Sequence, residues 1–221
     1  MNSNNLLKLY PCIFLYLLIN SIANAAPPTQ QWANRYDKLN GLDEAVDVAV
    51  DLNGNSYVTG NSQNGTFYYN WATIKYNAAG TPVWTKTYNG PGNGYDKPAA
   101  IVTDSAGNVY VTGSSVGTLT DVDYVTIKYN PNGAVLWART YNSGGTGRDI
   151  PAALAVDSAG NVYVTGQSWN NTCCSDDYVT IKYNSAGSAL WTKRYNHTYS
   201  STDIPTAIAV DNTGNVYVTG R

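Results

Sequence analysis

Four aspartates, Asp43, Asp96, Asp149 and Asp203, recur 53, 53 and 54 residues apart. Repetition of a carboxylate at such a spacing places the four on one face of a repeated unit, where they could hold a cation or a polar ligand near an axis. In three copies a proline stands two residues later, at Pro98, Pro151 and Pro205, and that pattern also describes a loop stop whose carboxylate caps backbone N–H groups. The first copy reads Asp43-Glu-Ala45 and lacks the proline.

Cys173 and Cys174 are adjacent and lie beside Asp176 and Asp177. Two cysteines in an oxidising compartment usually pair, but neighbours in sequence do so only through a strained ring. A vicinal disulfide here could stiffen its loop or act as a redox-labile switch. A metal needs about four ligands, and the lone His197 falls in a different loop. The aromatic residues Tyr68, Tyr69, Trp71, Tyr95, Trp169 and Tyr199 fall between the regular segments, where they could stack on sugar rings or grip a protein partner. Asn64-Gly-Thr66, Asn170-Asn-Thr172 and Asn196-His-Thr198 fit the glycosylation pattern, which matters for a eukaryotic source.

No catalytic set accompanies these residues. One histidine outside any Ser/His/Asp grouping, no Gly-x-Ser-x-Gly and no phosphate loop speak against a hydrolase or nucleotide enzyme. The paired carboxylates Asp121/Asp123 and Asp176/Asp177 each sit within one loop, a spacing that says little about acid–base work. No cofactor is expected.

The segments that position these residues are written four times. Asp51–Gly60, Asp104–Gly113, Asp157–Gly166 and Asp211–Gly220 share the pattern Asp-x-x-Gly-Asn-x-Tyr-Val-Thr-Gly. A calcium loop would need oxygen ligands at alternate positions, yet Ser105, Ala106, Ser158 and Ala159 stand where some of them belong, so the pattern reads as a tight turn. One complete unit holds four strand-like runs: a, Ala99–Thr103; b, Val109–Thr112; c, Asp123–Tyr129; d, Val135–Tyr141. Turns a–b and c–d are short, with Asp or Asn capping and Gly at positive φ. The b–c and d–a connections are longer, polar and variable, and they share the opposite face. Strand d carries Trp32, Trp84, Trp137 and Trp191, each followed four residues later by Tyr36, Tyr88, Tyr141 or Tyr195.

Four-stranded antiparallel units of about 50 residues have the size of a β-propeller blade. Strand a, with its Ala, Ile and Val, suits the crowded axis, and strand d would cover the neighbouring blade with Trp and Tyr. A period of this length otherwise suggests a solenoid, whose coils are usually shorter. The Asp-x-x-Gly-Asn-Val-Tyr-Val-Thr-Gly and Asp-Tyr-Val-Thr-Ile-Lys-Tyr-Asn-x-x-Gly-x-x-Leu-Trp segments resemble the SBBP family of seven-bladed β-propeller repeats over residues 32–221. The Gly-x-x-Leu-Trp ending also resembles the repeats of quinoprotein-type propellers, and the resemblance to quinoprotein alcohol dehydrogenases implies a cysteine ring at a cofactor. The expected fold is therefore all-β, a propeller with about 3.75 blades in this chain, either part of a larger propeller or a four-bladed ring. An open blade edge would invite self-association.

Residues 1–25 read as a secretory signal peptide, with Lys8, an apolar run over Leu9–Ile19 and Ala23-Asn-Ala25 as the cleavage pattern. The run is too short to span a bilayer. Residues 26–31 form a short linker. The chain has 13 Lys and Arg against 15 Asp and Glu, and loss of residues 1–25 removes Lys8 alone, which leaves a net charge of −3. That is too mild and mixed to suggest nucleic acid or an anionic membrane as a partner. The expectation is an exported, periplasmic, secreted or cell-surface propeller module. It would be non-enzymatic and bind a protein or glycan through its b–c and d–a loops. The rivals are a redox or quinoprotein-like enzyme built on Cys173-Cys174, and a pure spacer in a larger surface protein.

Overall fold

A computed structural model describes residues 30–38, 41–63, 68–118, 121–144, 147–170, 175–197 and 202–221. These residues form fourteen strands, and among them there is no helix long and apolar enough to cross a membrane. The signal-like segment, Cys173, Cys174 and Tyr199 lie outside the described residues.

The strands gather into three four-stranded antiparallel meanders and one two-stranded remainder. The first blade is β1 (Asp43–Val50), β2 (Ser56–Gln63), β3 (Tyr69–Tyr76) and β4 (Pro82–Tyr88). The second is β5 (Lys97–Thr103), β6 (Val109–Val116), β7 (Val122–Tyr129) and β8 (Val135–Tyr141). The third is β9 (Asp149–Val156), β10 (Val162–Asn170), β11 (Ser175–Tyr183) and β12 (Ala189–Tyr195), followed by β13 (Pro205–Val210) and β14 (Val216–Gly220). These are the four repeats seen in the sequence. The second and third strands run further than their apolar cores suggest: β6 continues through Gly113-Ser-Ser-Val116 because that stretch stays paired with Val122–Val125.

The first strands are innermost and meet each other, β1 against β5, β5 against β9 and β9 against β13. Among the described residues no comparable packing joins β13 back to β1, so the blades form an open arc, a partial propeller rather than a four-bladed ring.

The core lies between blades. One cluster joins Tyr110, Tyr124 and Trp137 of the second blade to Leu154, Val162, Val164, Val179, Ile181 and Tyr183 of the third. A second joins Tyr57 and Trp71 of the first blade to Ile101, Val109, Val111, Val125, Ile127 and Tyr129 of the second. A single antiparallel sheet buries little by itself, so stacking blade on blade is what removes apolar surface from water.

The tryptophan of each fourth strand works across that seam. Trp84 lies between Tyr57 of its own blade and Tyr129 of the next, at centroid separations of 5.9 and 6.1 Å. Trp137 repeats this with Tyr110 and Tyr183. The indole N–H donates to a carbonyl in the next blade's c–d turn, Trp84 to Pro131 and Trp137 to Ser185, both at 3.1 Å. The lysine of the Ile-Lys-Tyr run joins the same carbonyl, Lys75 to Pro131 and Lys128 to Ser185. Each ammonium also sits over the repeat tyrosine, Tyr57 or Tyr110. Trp32, ahead of the first blade, takes the strand-d place and packs on Tyr76.

Candidate functional site

The two ends of the blades are built differently. At the end carrying the a–b turns, each turn aspartate uses both carboxylate oxygens. Oδ1 of Asp104 accepts the backbone N–H groups of Ala106 and Asn108, and Oδ2 accepts the Asn108 amide and the Tyr110 hydroxyl. Asp51 and Asp157 repeat all four bonds. Gly107 closes the turn at φ 77°, a conformation that disfavours any side chain. Burial opposes the charge on Asp104, but the bonds from Asn108, Tyr110 and Ala106 outweigh it and hold the carboxyl below its ordinary pKa. The c–d turns use Asn77, Asn130 and Asn184 in the same way, Oδ1 taking two backbone N–H groups. These acceptors are committed to the turns themselves.

The other end carries the d–a and b–c loops. Here the aspartates that lead into the first strands cap the preceding loop. Asp96 accepts the Gly90 N–H, Asp149 the Ser143 N–H, Asp203 the His197 N–H and Asp43 the Lys38 N–H. Asp96, Asp149 and Asp203 are buried, and Asp96 also takes the Ser115 hydroxyl at 2.6 Å. Burial raises the pKa of Asp96, against the pull of Ser115 and Gly90. Asp43 and Asp149 accept through Oδ2 alone, and the Oδ1 of each is buried without a hydrogen-bond partner.

The aromatic candidates separate. Trp71 is a β3 residue, 1% exposed, and donates its indole N–H to Ser114 O of the next blade; it is core and not loop. It occupies the place of Tyr124 and Tyr178, whose hydroxyls donate to Gln167 O and Arg221 O. Tyr69 opens β3, and with Tyr68 it stands against Tyr95, at 6.0 and 5.2 Å between ring centroids. Tyr68 and Tyr95 remain exposed, and Lys97 reaches over the Tyr95 ring.

Trp169, near the end of β10, borders an open groove of about 320 Å³ with Asp121, Gly147 and Arg148. A side chain at Gly147 would collide with the indole, so the d–a loop lies directly against Trp169. Arg148 pairs with Asp176 at 3.1 Å, and Gln167 donates to the same Asp176 oxygen. Asp176 is 2% exposed, and its other oxygen, Oδ1, is buried without a hydrogen-bond partner. One layer below, Arg194 holds Asp177 at 3.0 Å and bonds Ser168 through both its carbonyl and its hydroxyl. Sequence reasoning missed Arg148 and Arg194. For Arg148 the signal was positional: it fills the site between Gly147 and Asp149 where other repeats hold Leu42, Tyr95 or Thr202.

The SBBP β-propeller repeat model matches residues 39–68, 83–119, 139–171 and 190–221. The chain belongs to this SBBP repeat family. No curated protein matches it. Among solved structures it is similar to the periplasmic gluconolactonase PpgL of Pseudomonas aeruginosa, at 12% identity and a TM-score of 0.47. That similarity covers 80% of this chain and 50% of the other, so the SBBP chain spans about half the length of that structure. The first match covers β1 and β2, and each later one runs from the fourth strand of one blade through the first two strands of the next, so the third strands fall between matches. The turns and seams recur from blade to blade, and the loop end does not.

Proposed function

We infer that this SBBP propeller is an exported, non-enzymatic binding scaffold whose ligand, a protein or a glycan, docks on the face made by the b–c and d–a loops. The observation that carries this reading is the division of labour between the two ends. At the turn end the blades repeat the same saturated hydrogen bonds. At the loop end the equivalent positions read Leu42, Tyr95 and Arg148, or Gln63, Val116 and Trp169, and several are exposed. A scaffold that keeps its frame and varies its rim is the usual arrangement for recognition by repeat proteins.

The non-enzymatic part is supported by the work the repeated carboxylates already do. Asp51, Asp104 and Asp157 hold turns, while Asp96, Asp149 and Asp203 cap loops. Export is supported by the signal-like segment in residues 1–25.

The test compares the wild-type protein with Tyr95→Ala and Trp169→Ala variants on immobilised glycans and on surface-protein fractions. Binding by the wild type that either variant weakens, at unchanged melting temperature, is the expected result. Binding that survives both, or a visible absorbance band from a cofactor in the purified protein, would overturn the reading.

A further inference from the structure

We propose that the groove between Trp169, Arg148 and Asp121 is a saccharide site for a neutral hexose unit bearing adjacent hydroxyls, an inference that rests on the loop-face reading above. The groove, about 320 Å³ and open to solvent, has room for a single sugar ring laid against Trp169. Trp169 is half-buried, with Gly147 packed against its ring, so the indole is held in place rather than free to swing. A fixed indole presents an apolar surface to the C–H face of a pyranose at little conformational cost.

The polar partners are of both kinds a sugar hydroxyl needs. Arg148 is held by one nitrogen on buried Asp176, yet 54% of its side chain stays exposed, which leaves guanidinium donors for an oxygen lone pair. Asp121 is exposed and borders the groove, so its carboxylate can accept from a hydroxyl. Beneath them Asp176 is almost fully buried with Oδ1 unpartnered, while its Oδ2 takes both Arg148 and Gln167. An arginine anchored on an incompletely satisfied buried carboxylate is a positioned group, and its fork geometry matches two neighbouring oxygens.

Charge decides among sugars. One arginine faces two carboxylates, Asp121 and Asp176, so the locality is net negative by one. An acidic sugar would meet repulsion, whereas a neutral hexose gives hydrogen bonds without that penalty. The arrangement is peculiar to the third blade. The equivalents of Arg148, Trp169 and Asp176 are Tyr95, Val116 and Val122 in the second blade, and Leu42, Gln63 and Tyr69 in the first. A single site among the described blades follows.

The experiment titrates the full chain with malto-, cello- and manno-oligosaccharides and with an oligogalacturonate, following tryptophan fluorescence and calorimetry. The expected result is saturable binding of at least one neutral series, with the uronate weaker. Trp169→Ala should lower affinity at least tenfold, Trp169→Phe less, and Arg148→Lys about tenfold, all with wild-type melting temperatures. Absence of binding by every neutral series at millimolar concentration overturns the proposal, as does binding that Trp169→Ala leaves unchanged. In either of those cases a protein ligand lost with Tyr95→Ala would leave the loop-face reading standing, so the two failures are distinguishable.

Discussion

The hydroxyl of Tyr110 donates to Asp104 Oδ2 at 2.8 Å, tying a buried strand residue to the turn that delivers it. The same pair recurs as Tyr57 with Asp51 and Tyr163 with Asp157. Tyr110 is fully buried, so its hydroxyl has no water to fall back on. Removing the carboxylate orphans that hydroxyl and takes away the partner of the half-buried Asn108 amide and of two backbone N–H groups, of which that of Ala106 is exposed. Asp104→Ala should therefore cost about 3 kcal/mol. Asp104→Asn keeps Oδ1 for the backbone, as Asn130 does in the c–d turn, and should cost less. Tyr110→Phe should cost about 1 kcal/mol. Urea unfolding of the three variants gives the ranking directly, and an alanine no worse than the phenylalanine would refute it.

The same carboxylates set the acid limit of the fold. Burial works against the charge on Asp51, Asp104 and Asp157, but hydrogen bonds from asparagine, backbone and tyrosine prevail and lower each pKa. A carboxyl whose folded value lies below its unfolded value, about 3.9, adds stability above that pH and loses it as pH falls through the folded value. Asp96 has the opposite sign, because burial raises its pKa. Its contribution is full below the unfolded value and is lost as pH rises through the folded one. Thermal midpoints should thus drop steeply below about pH 4. Asp96→Asn should flatten the gentler decline on the other side. Midpoints that stay level down to about pH 2 would contradict the turn assignment.

How much of this was legible beforehand depended on whether the deciding contact was local. The a–b turn is closed by near neighbours in the chain, so Asp, Gly, Asn and Tyr announce it in order. Strand order follows from short hairpins, and the seam tryptophans from their even spacing. Trp71 was placed among the aromatics between regular segments, although it precedes Ala72-Thr-Ile-Lys-Tyr76 just as Tyr124 and Tyr178 precede Val125-Thr-Ile-Lys-Tyr129 and Val179-Thr-Ile-Lys-Tyr183. The Arg148–Asp176 pair spans 28 residues and two strands, and only the folded sheet brings it together. The loop-capping role of Asp96 was one of two readings open to the sequence. In the fold Asp96 is buried and takes the Gly90 N–H and the Ser115 hydroxyl, the second a contact nineteen residues away in sequence.

Trp137 and Lys128 share one acceptor, the carbonyl of Ser185 in the next blade. Groups that meet at a common atom do not contribute independently. Trp137→Phe and Lys128→Met should each destabilise the protein. The double variant should fall short of or exceed their sum by about 0.5 kcal/mol or more. A double-mutant cycle in urea measures the coupling. Strict additivity would mean that the two donors do not hold the seam jointly.

Gly166 and Gly144 offer a contrast between two reasons for glycine. Gly144 has φ 95°, with open space where a Cβ would go. Gly166 has ordinary strand geometry, yet a Cβ there would overlap Ile150 O, Pro151 Cα and the Tyr124 hydroxyl. Two of those atoms are backbone of the adjoining strand and cannot step aside. Gly144→Ala should therefore cost about 1 kcal/mol through backbone strain alone. Gly166→Ala should cost about 3 kcal/mol or more, because both its own sheet and the blade seam must shift. Adding Tyr124→Phe to Gly166→Ala removes only the hydroxyl contact and should recover a minor part. Gly113 and Gly220 meet Trp71 and the Tyr178 hydroxyl in the same way, so each glycine admits the aromatic of the preceding blade. Unfolding midpoints for the two alanine variants that coincide would show that the seam is looser than this close approach requires.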